Sequence, residues 1–208
     1  MIKREFRLIG CMLAYLLLIG CAGSKTYLID LQYLPRKELP PLSALRKVPL
    51  VGVVSFTDHR VKKDKIGFRK HWHGHSDLFK SEIEPVKDAL TRVVETYFTK
   101  RGYKVEKLSS WDHTPESLVI LPQDFKLVVA GSIERLWLKA ETAITSTTTT
   151  YELTLTAYIG QMKEKKILKR TEKRSQETKD LSFSPEDVKK TLNEMLSEII
   201  ESLFEGLD

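Results

Sequence analysis

Three of the five histidines lie in one short stretch, His71-Trp72-His73-Gly74-His75, and Asp77 follows two residues later. Neutral imidazoles are good ligands for zinc, copper and nickel, so His71, His73 and His75 are candidate metal ligands, with Asp77 as a further candidate. In an extended strand these side chains would project from one face, but successive ligands would lie about 6–7 Å apart, which is wide for one ion. The alternative is a solvated loop or a loop that contacts a partner.

The other side chain with distinctive chemistry is a cysteine that follows a signal-like N-terminus. Basic residues at positions 3–7 precede an apolar run from Leu8 to Ile19, and Leu18-Ile19-Gly20-Cys21 ends it. An apolar run of about 12 residues is too short to span a bilayer but suits a secretory signal peptide. The tetrapeptide resembles the bacterial lipobox, which implies cleavage before Cys21 and acylation of its thiol and new amine. An ordinary signal peptide without lipidation is the alternative.

A second Leu-Ile-Gly-Cys tetrapeptide ends at Cys11, but too few apolar residues precede it to form a signal. We therefore expect Cys11 to leave with the signal peptide and Cys21 to carry the lipid. The mature chain would then have no free thiol, so neither a disulfide nor a cysteine nucleophile is expected.

Length and charge limit the remaining function classes. Removing residues 1–20 of 208 leaves 188, which fits one domain and a tether, and lowers the formal charge from +6 to +4. This small excess does not predict a nucleic-acid partner. Acyl chains contribute about 0.8 kcal/mol per buried methylene, so lipid on Cys21 can anchor the chain without a transmembrane helix. We expect a signal peptide at 1–20, a lipidated cysteine, tether and candidate edge strand at 21–47, and an α/β periplasmic domain at 48–208.

Hydrophobic periodicity predicts the elements of that domain. Consecutive strands joined by short loops favour an α+β fold, with a mostly antiparallel four- to five-stranded sheet and two amphipathic helices on one face. The first helix is expected to begin with a capping box at Ser81–Glu84 and to end at Gly102, and the second to run from Ser184 to Gly206. Residues 35–47 are expected to be an extended connector and residues 108–123 a loop. Strands are predicted at 27–33, 48–56, 66–69, 103–105, 125–139, 151–159 and 167–175.

This order of elements resembles small bacterial envelope lipoproteins. The resemblance rests on the lipobox, a proline-rich connector, a helix ending in Arg101-Gly102-Tyr103-Lys104-Val105, a meander and a C-terminal helix. The families it resembles are the YajG-like lipoproteins and the ABC-type transport auxiliary lipoproteins of the PqiC type. The arrangement of helices on a sheet also resembles that of LptE. It implies a non-enzymatic accessory or assembly subunit, in the PqiC case of a lipid-trafficking system. Ala22 after the cysteine implies the outer membrane, with the domain facing the periplasm.

The implied partners are the membrane through its lipid anchor, an envelope protein complex, and lipid or lipopolysaccharide. No cofactor other than the covalent lipid on Cys21 is expected. Cations near an anionic membrane contribute about 1 kcal/mol each, so a basic segment is a candidate lipid or partner contact. A second basic group, at 163–174, is explained first as protection of an edge strand, with contact to anionic lipid as the alternative. The first segment comprises Arg60, Lys62, Lys63, Lys65, Arg69 and Lys70.

Enzymatic signatures are absent from the sequence. It contains no Gly-x-Ser-x-Gly elbow, no phosphate-binding glycine loop and no His-Glu-x-x-His helix. The sequence therefore predicts a non-enzyme, with no catalytic residues. The alternative function is a metal-binding lipoprotein that uses the His71–His75 loop.

Overall fold

The computed structural model describes residues 23–35 and 48–207, which form an open, curled sheet of nine strands with three helices. The chain is therefore α+β, as predicted. The helices are α1 (Val86–Lys100), α2 (Pro115–Ile120) and α3 (Pro185–Leu203). The strands are β1 (Thr26–Ile29), β2 (Leu50–Val54), β3 (Thr57–Asp58), β4 (Gly67–Lys70), β5 (Ser76–Ser81), β6 (Lys104–Leu108), β7 (Phe125–Thr142), β8 (Thr147–Gln161) and β9 (Lys166–Asp180).

The longest strand, β7, organises the sheet. Along one edge it pairs with antiparallel β8, which in turn pairs with β9. Along its other edge β2, β3 and β4 pair with successive segments of β7, all in parallel. The expectation of a mostly antiparallel sheet of four to five strands is therefore wrong. Alternation within a strand reports which face is buried, but it does not report the direction of a partner that is distant in sequence.

Buried side chains pack on both faces of the sheet. Helices α1 and α3 contribute to one core cluster, together with Leu127 and Val129 of β7. The intervening Val128 faces a smaller cluster that contains Leu118 of α2 and Trp111. The continuous apolar run of β2 is buried at every position, as its sequence predicted. Helix α2 lies inside the segment 108–123, which the sequence predicted to be a loop.

The helix boundaries agree with the predictions in part. Ser184 caps α3, its hydroxyl accepting from the Asp187 N–H (3.2 Å), and Gly102 after α1 has a positive φ of 87°, both as predicted. The predicted capping box at Ser81–Glu84 is wrong. Ser81 ends β5 and pairs with Ile29, and Pro85 stands before α1 without a side-chain cap. Because Ser81 is paired within the sheet, it does not cap α1.

The predicted N-terminal edge strand at 27–33 is confirmed in part: β1 covers Thr26–Ile29 and pairs in parallel with β5. Beyond it the chain leaves the sheet and lies against α3, where the Leu34 N–H donates to Ser197 Oγ (2.8 Å) and the Tyr33 hydroxyl donates to Glu201 (2.8 Å). The predicted signal peptide, Cys21 and connector residues 36–47 lie outside the described residues. Within the described part of the chain, no helix combines the length and apolar character needed to cross a bilayer.

Candidate metal centre

The histidine stretch forms the turn between antiparallel β4 and β5. The His71 N–H donates to the His75 carbonyl (2.9 Å), and the Gly74 N–H donates back to the His71 carbonyl (3.0 Å). Gly74 has a φ of 99°, a conformation that residues with a Cβ adopt at a cost. The stretch is therefore folded into a tight turn rather than extended.

This turn brings the three imidazoles together. One candidate ligand nitrogen from each of His71, His73 and His75 lies within 4.8 Å of the others. The His75 ring centroid is 4.0 Å from that of His71 and 4.2 Å from that of His73. Nitrogens bound to one tetrahedral zinc ion lie about 3.4 Å apart, since each Zn–N bond is about 2.1 Å long. Binding one ion would therefore require the most distant nitrogens to move closer by up to about 1.4 Å, and three histidines would leave one coordination position open.

Asp77 lies beside the histidines and holds one of them. Its side chain is 2% exposed, and one carboxylate oxygen is 2.7 Å from His71 Nε2. The other oxygen accepts the backbone N–H of Lys25 (2.8 Å), and the Tyr27 hydroxyl donates to the first (3.3 Å). When His71 donates from Nε2, its Nδ1 carries the lone pair that a metal needs. This carboxylate–histidine arrangement commonly supports metal-binding histidines.

The pKa shifts of Asp77 and His75 favour this arrangement. Burial alone would raise the pKa of Asp77, but hydrogen bonds from His71 and the Lys25 N–H hold that pKa below its usual value. The pKa of His75 is lowered by desolvation and by the neighbouring His71 and His73. Neutral imidazole is the form that binds a metal ion. Asp77 is therefore an ionised hydrogen-bond acceptor for His71, and it lies outside the set of three histidine nitrogens that converge.

Two contributors to this site were missed in the sequence. Lys25 and Tyr27 lie 52 and 50 residues from Asp77, so no local spacing links them. Their contact depends on the parallel pairing of β1 with β5.

The histidine at position 113 lies far from the turn. His113 stacks on Tyr158 with ring centroids 4.4 Å apart, and burial lowers its pKa. His113 therefore contributes to side-chain packing rather than to the histidine cluster.

The residues of the predicted basic contact surface differ in exposure and in their contacts within the fold. Arg60 is 5% exposed and binds Asp58 through two hydrogen bonds (2.8 and 2.9 Å), so it is not available to a lipid or partner. Arg69 lies over the Phe183 ring at 3.9 Å. Its Nε donates to Thr142 Oγ1 (2.9 Å). Both arginines are therefore engaged in intramolecular contacts. Lys62, Lys63 and Lys70 are exposed, and Lys65 is half-buried.

Comparisons with known proteins find structural neighbours of low sequence identity, with TM-scores below 0.5. No protein-family model matches the chain, and no curated protein shows significant sequence similarity to it. A Xanthomonas campestris protein of the DUF330 (PqiC-like) family is 13% identical with a TM-score of 0.47, covering 88% of this chain and 92% of that one. The PelC protein of Paraburkholderia phytofirmans, solved as a dodecamer, is 14% identical with a TM-score of 0.42, covering 75% and 91%.

A lipoprotein is also among these structural neighbours. Lipoprotein GNA1162 of Neisseria meningitidis is 12% identical with a TM-score of 0.37, covering 74% of this chain and 97% of that one. The specific resemblance to YajG-like proteins and LptE is not confirmed. At these identities and TM-scores the similarities assign no function.

Proposed function

We propose that this protein is a lipid-anchored, non-enzymatic accessory protein of the bacterial envelope. The observation that carries the proposal is the order of a basic start, a short apolar run and Leu18-Ile19-Gly20-Cys21. A signal peptide of this kind exports the chain, and acylation of Cys21 retains it at a membrane. The residue after Cys21 is alanine, which supports residence at the outer membrane with the domain in the periplasm.

The described domain begins close to this anchor. The backbone of Lys25 is fixed by its N–H bond to Asp77 and by its carbonyl, which accepts from the Leu78 N–H (2.9 Å). Four residues therefore separate the proposed lipid from an ordered strand. A folded domain held this near the bilayer is suited to hold or assemble a partner complex there, including one that handles lipid or lipopolysaccharide. The exposed Lys62, Lys63 and Lys70 are candidate contacts for an anionic partner.

Crosslinking in intact membranes tests the accessory role. The native lipoprotein is crosslinked, affinity-purified with and without a chelator, and its partners are identified by mass spectrometry. We expect the same envelope proteins in both preparations, enriched over a Cys21→Ser control. Recovery of no protein above that control would contradict the proposal.

A second candidate function is metal binding. It is favoured by the convergence of His71, His73 and His75 within 4.8 Å, beside an ionised carboxylate. Titration calorimetry with Zn²⁺ or Cu²⁺ on the chelator-stripped protein tests it, with one ion per chain as the expected stoichiometry. Affinity no tighter than about millimolar would contradict this function. The two candidates also differ in the purified native protein, since a metal-binding function predicts stoichiometric metal.

A further inference from the structure

We infer that one end of the sheet docks on the lipid bilayer and inserts the side chains of Trp72, Ile144 and Leu181 into its interface. The inference rests on the proposed lipid anchor and adds an orientation to it. It commits to the bilayer that holds Cys21 as the occupant of this surface. We call this surface the anchor end, defined by residues 23–25, 71–75, 143–146 and 181–183.

The strand register places these four segments at the same end of the molecule. Lys70, at the end of β4, pairs with both Ser76 of β5 and Glu141 of β7. Thr147 of β8 pairs with both Thr142 of β7 and Asp180 of β9. The first residue of β1, Thr26, pairs with Leu78, close to the start of β5. Residues 23–25 and the three loops therefore lie along one row of six strands, in the order β1, β5, β4, β7, β8 and β9. Five spacings of about 4.8 Å give this row a width of about 24 Å.

Each of the three loops carries a large apolar side chain that the fold leaves exposed. Trp72, Ile144 and Leu181 are 68, 86 and 91% exposed. Single exposed apolar residues are ordinary on protein surfaces, but here one stands on each of three neighbouring loops. A tryptophan ring also favours the headgroup region of a membrane, where its apolar body and its N–H are both accommodated.

The short segment between Cys21 and Lys25 indicates that these loops face the membrane. Lys25 is held at the anchor end by its bonds to Asp77 and Leu78, and Cys21 lies four residues before it. Four residues span at most about 14 Å. Acyl chains on Cys21 would lie within the bilayer, so Lys25 at the anchor end stays within that reach of the headgroups. The other end of the sheet, along the length of β7, lies farther away.

The charged groups are compatible with this orientation. Exposed lysines at positions 25, 70 and 179 lie within or next to the segments of the anchor end and can meet lipid phosphates. Glu141 and Asp180 are also exposed at this end, so the surface is mixed rather than strongly basic. The lysines of the β8–β9 turn, at 163, 165 and 166, lie at the opposite end and would face away from this membrane. The inference therefore rests mainly on the exposed side chains of Trp72, Ile144 and Leu181 and less on the charged residues.

Site-specific fluorescence on the lipidated full-length protein tests the orientation. Because the mature chain is expected to have no free thiol, Trp72→Cys, Ile144→Cys and Leu181→Cys can each carry one environment-sensitive fluorophore. Ile120→Cys is the matched control, because Ile120 is 85% exposed on α2, which packs beside Gly160 at the far end. Each protein is reconstituted into phosphatidylethanolamine–phosphatidylglycerol vesicles and separated by flotation.

At the three tips we expect a blue shift of the emission and quenching by spin-labelled lipid, with neither at position 120. The inference is overturned if the tips stay unquenched while the protein floats with the vesicles, a result that leaves the lipid anchor intact and points to a protein occupant. Equal quenching at position 120 also overturns it. If the unlabelled wild-type protein does not float, the proposed anchor itself fails, and the inference fails with it.

Discussion

The Asp77 carboxylate accepts a hydrogen bond from the backbone N–H of Lys25, 52 residues away in sequence, at 2.8 Å. The same side chain holds His71 at 2.7 Å. One buried carboxylate therefore connects the candidate metal site to the strand that leads toward the proposed membrane anchor. An ion bound by His71 would stabilise the same contacts that fix the first described strand.

Replacing this carboxylate should weaken metal binding without removing a ligand. Asp77→Asn lacks the charge that orients His71 and raises the basicity of its ring, and loss of such a partner typically lowers metal affinity about 10–100-fold. Calorimetric titration with Zn²⁺ measures the change. Asp180→Asn, an exposed carboxylate at the same end, is the control and should leave affinity unchanged. Equal affinities for Asp77→Asn and wild type would show that Asp77 does not support the site.

Each histidine of the turn should be required for tight binding. His73→Ala removes an exposed imidazole that makes no hydrogen bond to Asp77, so a loss of affinity there reports on coordination rather than on the fold. We expect at least a tenfold loss, whereas His59→Ala, an exposed histidine outside the turn, should bind as wild type does. An unchanged affinity for His73→Ala would exclude a three-histidine site.

The Asp58–Arg60 pair should be important for stability. The two side chains are 9 and 4% exposed, and removal of one partner of a buried pair typically costs about 3 kcal/mol or more. Arg60→Met should lower the free energy of unfolding by that amount in urea titrations, because Asp58 keeps its charge without a partner. Lys63→Met, an exposed lysine of the same segment, should change it little. A stability for Arg60→Met equal to that of wild type would contradict the pairing.

The same pair predicts a direction for the pH dependence. Burial would raise the pKa of Asp58, but hydrogen bonds from Arg60 outweigh it and hold that pKa below its usual value. A carboxylate with a lowered pKa contributes its full stability above the unfolded-state pKa of about 3.9 and loses it as pH falls through the lower folded-state value. The stability difference between wild type and Asp58→Asn should therefore shrink below about pH 4. A difference that grows on acidification would contradict the assignment.

Local patterns predicted the individual strands better than their assembly. The alternation from Tyr151 to Ile159 identified β8, and the continuous apolar run at β2 indicated burial on both faces. The parallel pairings of β2, β3 and β4 with β7 join segments that are distant in sequence, so periodicity carried no information about them. Helix α2 was missed because six residues are too few for a helical period to be evident.

The histidine site shows the same limit at the level of side chains. The residue types were visible, but an extended strand would have kept the imidazoles too far apart for one ion. Gly74 folds the turn that brings them together, and Asp77 is oriented by Lys25 from another strand. Arg60 and Arg69 appeared as free cations in the sequence, and the fold assigns both to internal contacts.

The central claim is that Cys21 carries the lipid that places this domain at a membrane. The most direct measurement is metabolic labelling with radioactive palmitate, followed by membrane fractionation, of wild type, Cys21→Ser and the control Cys11→Ser. We predict that wild type and Cys11→Ser incorporate label and fractionate with membranes, and that Cys21→Ser does neither. Palmitate incorporation and membrane fractionation of Cys21→Ser at the wild-type level would contradict the account.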